Sequence, residues 1–151
     1  MRHPKVAVIV SRFNEFITHR LLEGCLKELK KSGVKDSQIF ISWVPGALEL
    51  PLTASKWAQK KDISVVICLG AVIRGETYHF ELVANECARG IMDVSLKAGK
   101  PVIFGVLSTD TIKQANERSM LDGGDNKGAD AAQAAMEMLG VMARVKMNRA
   151  N

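Results

Sequence analysis

The sequence predicts an open α/β fold, a four-stranded parallel sheet flanked by helices on both faces. Three observations carry that expectation. Four short runs are continuously apolar and rich in β-branched residues, the pattern of strands covered on both sides rather than of a sheet with one wet face. Longer segments between them repeat apolar residues every three or four positions, as amphipathic helices do. Strand and helix alternate along the whole chain, which favours right-handed crossovers between parallel neighbours.

Taken in order, Lys5 to Ser11 (KVAVIVS) is the first strand and Thr18 to Ser32 the first helix. That helix aligns Leu21, Leu22, Cys25, Leu26 and Leu29 and stops at Gly33, a residue suited to the left-handed turn that ends a helix. Ile39 to Val44 is the second strand, followed by a helix over Leu50 to Lys60. Val65 to Leu69 is the third, and its helix, Phe80 to Ala98, is closed by Gly99 and Pro101. After the fourth strand, Val102 to Leu107, come two helices, Thr111 to Arg118 and Ala129 to Val145. The last carries Ala132, Ala135, Met136, Leu139 and Met142 at spacings of three and four.

Composition then bounds the function. A chain of 151 residues is the size of one ordinary domain, so 1–151 reads as a single unit. It can bury roughly 68 to 70% of its unfolded surface and needs no disulfide or metal staple. With 47% hydrophobic and 25% charged residues, disorder is excluded. The longest apolar stretch, Val65 to Ile73, falls far short of the about 20 residues that cross a bilayer. Met1, Arg2, His3, Pro4 and Lys5 lead directly into the first strand, which leaves no room for a targeting segment and makes the cytoplasm the expected compartment. Cys25, Cys68 and Cys87 lie apart inside apolar patterns with no CxxC pair, so buried reduced thiols are expected and a metal site is not. The net charge of +5 is scattered over helical stretches such as Lys27, Lys30, Lys31 and Lys35. Solvated helix faces explain it first, an anionic small substrate second, and nucleic acid last, for want of any recognition motif.

Ligands of open α/β sheets bind where loops leave the C-terminal ends of the strands. The loop after the first strand, SRFN (Ser11 to Asn14), puts Phe13 at the rim. There it is either a hydrophobic cap on the next helix or a platform for a flat heterocycle, a stacking contact worth about 1 to 3 kcal/mol. VPGALELP, Val44 to Pro51, holds Glu49 among apolar neighbours. A carboxylate in such surroundings needs hydroxyls, backbone donors or a cation, although capping the following helix is the plainer role. In GAVIRGETYHF, Gly70 to Phe80, the backbone of Gly75, Glu76 and Thr77 can form an anion nest at a helix start. His79 lies in that helix's first turn, and histidine suits proton transfer near neutrality; Arg74 reads as an ion-pair partner. The last region holds Phe104, Arg118 and the turn SMLDGGDNKG, with Lys127 opening the final helix. It is not a phosphate loop of the GxxxxGK[ST] type, because Ala129 and Asp130 stand where that motif needs Lys and Ser or Thr. No nucleophile arrangement of the GxSxG, HExxH or Cys/His kind is visible. The sum is a pocket for a flat, hydroxylated or anionic ligand with one proton-transfer residue.

SRFN, VPGALELP, GAVIRGETYHFE, FGVLSTDT and NKGADAA, in this order and spacing, resemble the 6,7-dimethyl-8-ribityllumazine synthases of riboflavin biosynthesis, over about Lys5 to Met142. The resemblance implies a flavodoxin-like three-layer sandwich that condenses 5-amino-6-(ribitylamino)uracil with 3,4-dihydroxy-2-butanone 4-phosphate, with no cofactor and no metal. It implies that Phe13 stacks on the pyrimidine, that Ala47, Leu48 and Glu49 hold the ribityl chain, and that Ala71, Val72 and Ile73 line the ring pocket. By the same resemblance Glu76 and Thr77 donate backbone N–H groups to the phosphate, Arg118 clamps it, and His79 moves protons. Phe104, Arg118 and Lys127 would come from the neighbouring subunit of a homo-oligomer, and riboflavin synthase is a possible further partner; neither nucleic acid nor membrane is implied. Two departures from the family pattern, a short segment before Lys5 and an altered turn at Ser119 to Gly128, lead us to expect a pentamer rather than a large shell. Asp130 stands where a glutamate is common. A catalytically weak lumazine- or flavin-binding protein of the same fold is the alternative, and a flavodoxin-like mononucleotide module is a third.

Overall fold

A computed structural model describes residues 3–148; the expectation for Met1 and Arg2 lies outside the described residues. Four strands, β1 (Val6–Ser11), β2 (Ile39–Val44), β3 (Val65–Ile73) and β4 (Val102–Thr109), form one parallel sheet in the order β2-β1-β3-β4. Five helices accompany them: α1 (Glu15–Lys31), α2 (Leu50–Ala58), α3 (His79–Ala98), α4 (Ile112–Glu117) and α5 (Lys127–Lys146). Val6 faces Ile39 on one side and Val65 on the other, and Val66 faces Val102. The flavodoxin-like three-layer arrangement expected from the resemblance is what the chain adopts.

Alternation along each strand builds two cores from one sheet, since successive side chains point to opposite faces. Val6, Val8 and Val10 meet α1 and α5 through Leu21, Leu29, Ala132 and Ala135. Ala7 and Ile9 meet α2 and α3 through Leu50, Ala54, Cys87 and Ile91. All three cysteines are buried and unpaired. Burial pushes the Cys25 thiol up to about 12 and Cys87 up to about 11, and it raises Cys68 as well, so these thiols stay protonated and act as small apolar groups.

Several boundaries differ from the sequence expectation for identifiable reasons. β3 runs four residues further, to Ile73, because β4 continues to pair with it as far as Thr109; Ala71, Val72 and Ile73 are therefore strand residues, not loop residues. α1 starts at Glu15 because Asn14 adopts a left-handed conformation (φ 60°) and its carbonyl accepts the N–H groups of Ile17 and Thr18. α5 starts at Lys127, where the Asn126 side chain caps it by accepting from the Ala129 N–H at 3.0 Å. Met142, expected on the apolar stripe of α5, is exposed.

The chain leaves β1 toward β2 and then crosses back to β3 on the other side. The direction of winding reverses between β1 and β3, and the loops there diverge to leave a crevice at the strands' C-terminal ends. β2 and β4 are the sheet edges, and no strand among the described residues pairs with their outer sides. No described helix is long and apolar enough to cross a membrane.

Candidate active site

Three loops meet at the crevice; backbone hydrogen bonds fasten the first to the second, and a side chain fastens the first to the end of β3. The Arg12 N–H donates to the Val44 carbonyl (2.7 Å) and the Phe13 N–H to the Pro45 carbonyl (3.0 Å), extending the β1–β2 pairing beyond the strands. The Asn14 side-chain amide donates to the Ala71 carbonyl at 2.9 Å, which ties the first loop to the end of β3. A left-handed residue costs roughly 1 to 2 kcal/mol unless its side chain is short and polar, so asparagine supplies both the turn and the tie. Sequence reasoning did not single out Asn14; its place between a strand end and a helix start was the available signal.

The result is a cleft of about 530 Å³ lined by Phe13, Ala47, Leu48, Glu49, Ala71, Val72, Ile73, Thr77 and His79. Gly75, read from the sequence as part of an anion nest, and Pro45, Gly46, Phe80 and Val83, which had not been proposed as site residues, complete its wall. Its floor is apolar, with Ala47, Ala71 and Val72 buried, while Phe13 stands 71% exposed at the rim. Exposed to that extent, Phe13 is not packed as a hydrophobic cap on α1. Glu49 is exposed rather than enclosed, a correction to the poorly solvated carboxylate expected from its apolar neighbours. It occupies the N-cap position of α2 without a side-chain capping bond; its N–H donates to the Gly46 carbonyl at 3.2 Å and its carbonyl accepts from the Thr53 hydroxyl at 3.1 Å. The carboxylate is thus left at the cleft.

His79 opens α3, and its N–H donates to the Thr77 hydroxyl at 3.4 Å. Its ring is solvent-exposed and lines the cleft. Glu76 does not line it. Arg74 is the ion-pair partner expected. Its Nε donates to Asp110 at 2.7 Å, its Nη1 contacts Glu81, and its guanidinium stacks 4.4 Å from the Phe80 ring centre. These contacts hold the start of α3 against the end of β4. Asp110 and Glu81 raise the Arg74 pKa, and the Arg74 hydrogen bond lowers that of Glu81.

Phe104, Arg118 and Lys127 are not brought to this cleft. They line a second one of about 410 Å³ along the outer edge of β4, against α5, with Ser108, Asp130 and Ala131. The two clefts share no lining residue. Arg118 terminates α4, donating from Nη1 to the Gln114 carbonyl at 3.0 Å, and is half-buried. Lys127 lies between Asp130 (3.1 Å) and Asp125 (3.4 Å). The shorter Asp130 side chain does reach its lysine. The Asp130 hydrogen bond, then the Asp125 charge, raises the Lys127 pKa, so the ammonium stays charged at neutral pH. Arg118 and Lys127 thus stand beside the β4 edge, with the Asp130 carboxylate in the same lining. No group of three or more His, Cys, Asp or Glu residues among those described is placed to hold a metal ion.

Against known families, the model for 6,7-dimethyl-8-ribityllumazine synthase matches residues 3–143. The chain belongs to the 6,7-dimethyl-8-ribityllumazine synthase family. Membership makes it a transferase of riboflavin biosynthesis, with small-molecule substrates and an oligomeric assembly. The motifs that carried the resemblance are the segments that build both clefts. VPGALELP and IRGETYHF wall the first, and FGVLSTDT with NKGADAA walls the second.

Proposed function

We propose that the chain condenses 5-amino-6-(ribitylamino)uracil with 3,4-dihydroxy-2-butanone 4-phosphate, in a site formed where the first cleft of one chain meets the second cleft of its neighbour. The observation that carries this reading is the division itself: one cleft offers a ring platform, a carboxylate and a histidine, and the other offers two cations. Neither alone offers both sets of groups.

In this site the pyrimidine lies on Phe13 above the floor of Ala71, Val72 and Ile73. The ribityl chain runs along Ala47 and Leu48, with its hydroxyls donating to the Glu49 carboxylate. Arg118 and Lys127 of the neighbour bind the phosphate from one side. Backbone N–H groups at Glu76 and Thr77 approach it from the other, and the neighbour's Phe104 covers the ring.

The substrate's amine attacks the ketone, and loss of water leaves an imine. Elimination then expels inorganic phosphate, and ring closure by the second nitrogen releases a second water. Each step moves protons at atoms near His79, and none requires a covalent bond to the protein. Holding two reactants in contact contributes about 7 to 11 kcal/mol. A general acid-base contributes about 10² to 10⁴-fold, so positioning dominates.

An oligomer also accounts for the apolar surface of α3, where Leu82, Met92 and Leu96 are exposed, the last by 73%. A lone soluble chain seldom keeps such a surface. We place the assembly at a pentamer in the cytoplasm, with riboflavin synthase as a possible associate; sedimentation mass tests the pentamer, and a mass near sixty chains overturns it. The catalytic reading is tested by mixing the purified chain with both substrates and following lumazine fluorescence. Product at many turnovers per chain is expected; tight lumazine binding without turnover would instead establish the weakly catalytic alternative.

A further inference from the structure

Arg118 and Lys127 are far enough apart in sequence that something must set their spacing, and the structure shows what does. A short antiparallel ladder closes the turn between them. The Lys127 N–H donates to the Arg118 carbonyl (2.9 Å), the Met120 N–H donates to the Asp125 carbonyl (2.9 Å), and Ser119 bridges to Asn126. This ladder rests on α1 at one residue, Arg20. Its Nε donates to the Ser119 carbonyl at 3.1 Å, and its Nη2 donates to the Ser119 hydroxyl at 3.0 Å and to the Asn116 side-chain oxygen at 2.5 Å. Ser119 is fully buried, and its hydroxyl in turn donates to the Ala115 carbonyl at 2.9 Å.

The other half of the turn is gripped through the Arg20 backbone. Asn126 donates from Nδ2 to the carbonyls of Arg20 and Met120, both at 3.1 Å, while its Oδ1 caps α5. Two glycines make the approach possible. A Cβ on Gly24 would overlap the Asn126 side chain, and one on Gly128 would overlap the Leu21 carbonyl. Arg20 lines neither cleft. Its hydrogen-bond acceptors are all neutral oxygens, so its planar fork serves as a template for a backbone turn rather than as half of an ion pair.

We infer that Arg20 is a positioning residue for the phosphate clamp, fixing the separation of Arg118 and Lys127 through Ser119 and Asn126 and so setting affinity for the phosphorylated substrate without touching it. This deepens the function proposed above and rests on its assignment of the phosphate to those two cations.

The test is steady-state kinetics on the assembled enzyme, with inorganic phosphate as a competing ligand, for Arg20→Met, Arg20→Lys, Ser119→Ala and Arg118→Ala. Arg20→Met is expected to raise KM for the phosphate substrate, and Ki for inorganic phosphate, by about three- to tenfold. KM for the pyrimidine should stay within about twofold. Arg20→Lys should recover part of the loss. Ser119→Ala, which removes the hydroxyl at the centre of the grip with little change of volume, should act in the same direction, and the double variant should be no worse than Arg20→Met alone. It also supplies the answer if Arg20→Met fails to assemble. Equal increases in both KM values, or unchanged phosphate affinity in the Arg20 and Ser119 variants while Arg118→Ala weakens it, would overturn the positioning role. Unchanged phosphate affinity in Arg118→Ala would instead remove the clamp assignment on which it rests.

Discussion

The two clefts are built on opposite principles. The first sits where the winding of the sheet reverses, and its walls are fastened by backbone bonds between the first two loops and by the Asn14 side chain to the end of β3. The second lies along an unpaired strand edge, and its chemistry resides in two long cationic side chains held by a turn. Such a contrast matches a division of labour. A rigid apolar recess suits a flat ring, whose stacking depends on shape, whereas an anion is held by charge that tolerates small displacements.

Four substitutions sharpen or break that contrast. The largest effect belongs to His79→Ala. Turnover should fall by up to about 10² to 10⁴-fold yet remain measurable, with lumazine affinity preserved by fluorescence titration; an undetectable rate with intact binding would contradict the dominance of positioning. Next, Arg118→Ala should raise KM for the phosphate substrate by about 10 to 100-fold, as expected for losing charge-assisted hydrogen bonds worth about 1.5 to 3 kcal/mol. Pyrimidine affinity should be nearly untouched, and a parallel loss of both would erase the distinction between the clefts. Phe13→Ala is its mirror image. Pyrimidine or lumazine binding should weaken by about 1 to 3 kcal/mol, read by calorimetry, while inorganic phosphate binding stays constant.

The smallest effect is on pH dependence. Glu81 has its pKa lowered in the folded chain by the Arg74 hydrogen bond. Its contribution is therefore present above the unfolded value of about 4.3 and disappears as pH falls through the depressed folded value. Glu81→Gln should melt slightly lower than the parent near pH 7, and the difference should vanish at the acid end of a melting series. A constant difference across pH would show that the ion pair contributes nothing there.

Much of this was legible in the sequence, because strands covered on both faces leave continuous apolar runs and helices leave a three-to-four spacing. All four strands and five helices announced themselves in this way. The missed boundaries have two kinds of cause. β3 reaches Ile73 because a distant partner, Thr109, is there to pair with it, whereas α1 and α5 begin early because Asn14 and Asn126, just ahead of them, take up their first N–H groups. Within the candidate site, Phe13 and His79 were visible as unusual residues at strand ends. Glu49 was read as enclosed because its sequence neighbours are apolar, yet Leu48 is itself half-exposed. Arg20 gave no signal, since on its own helix it is one more basic residue on a polar face.

If the site is shared between chains as proposed, the two separate clefts have a consequence for mixtures. Subunits weakened at Phe13 should bind the pyrimidine poorly when pure and subunits weakened at Arg118 should bind the phosphate poorly, yet blending them before assembly creates some junctions in which both halves are intact. Random pairing makes these roughly a quarter of the total. Two kinds of broken protomer would thus repair one another, something no enzyme with a self-contained pocket can do.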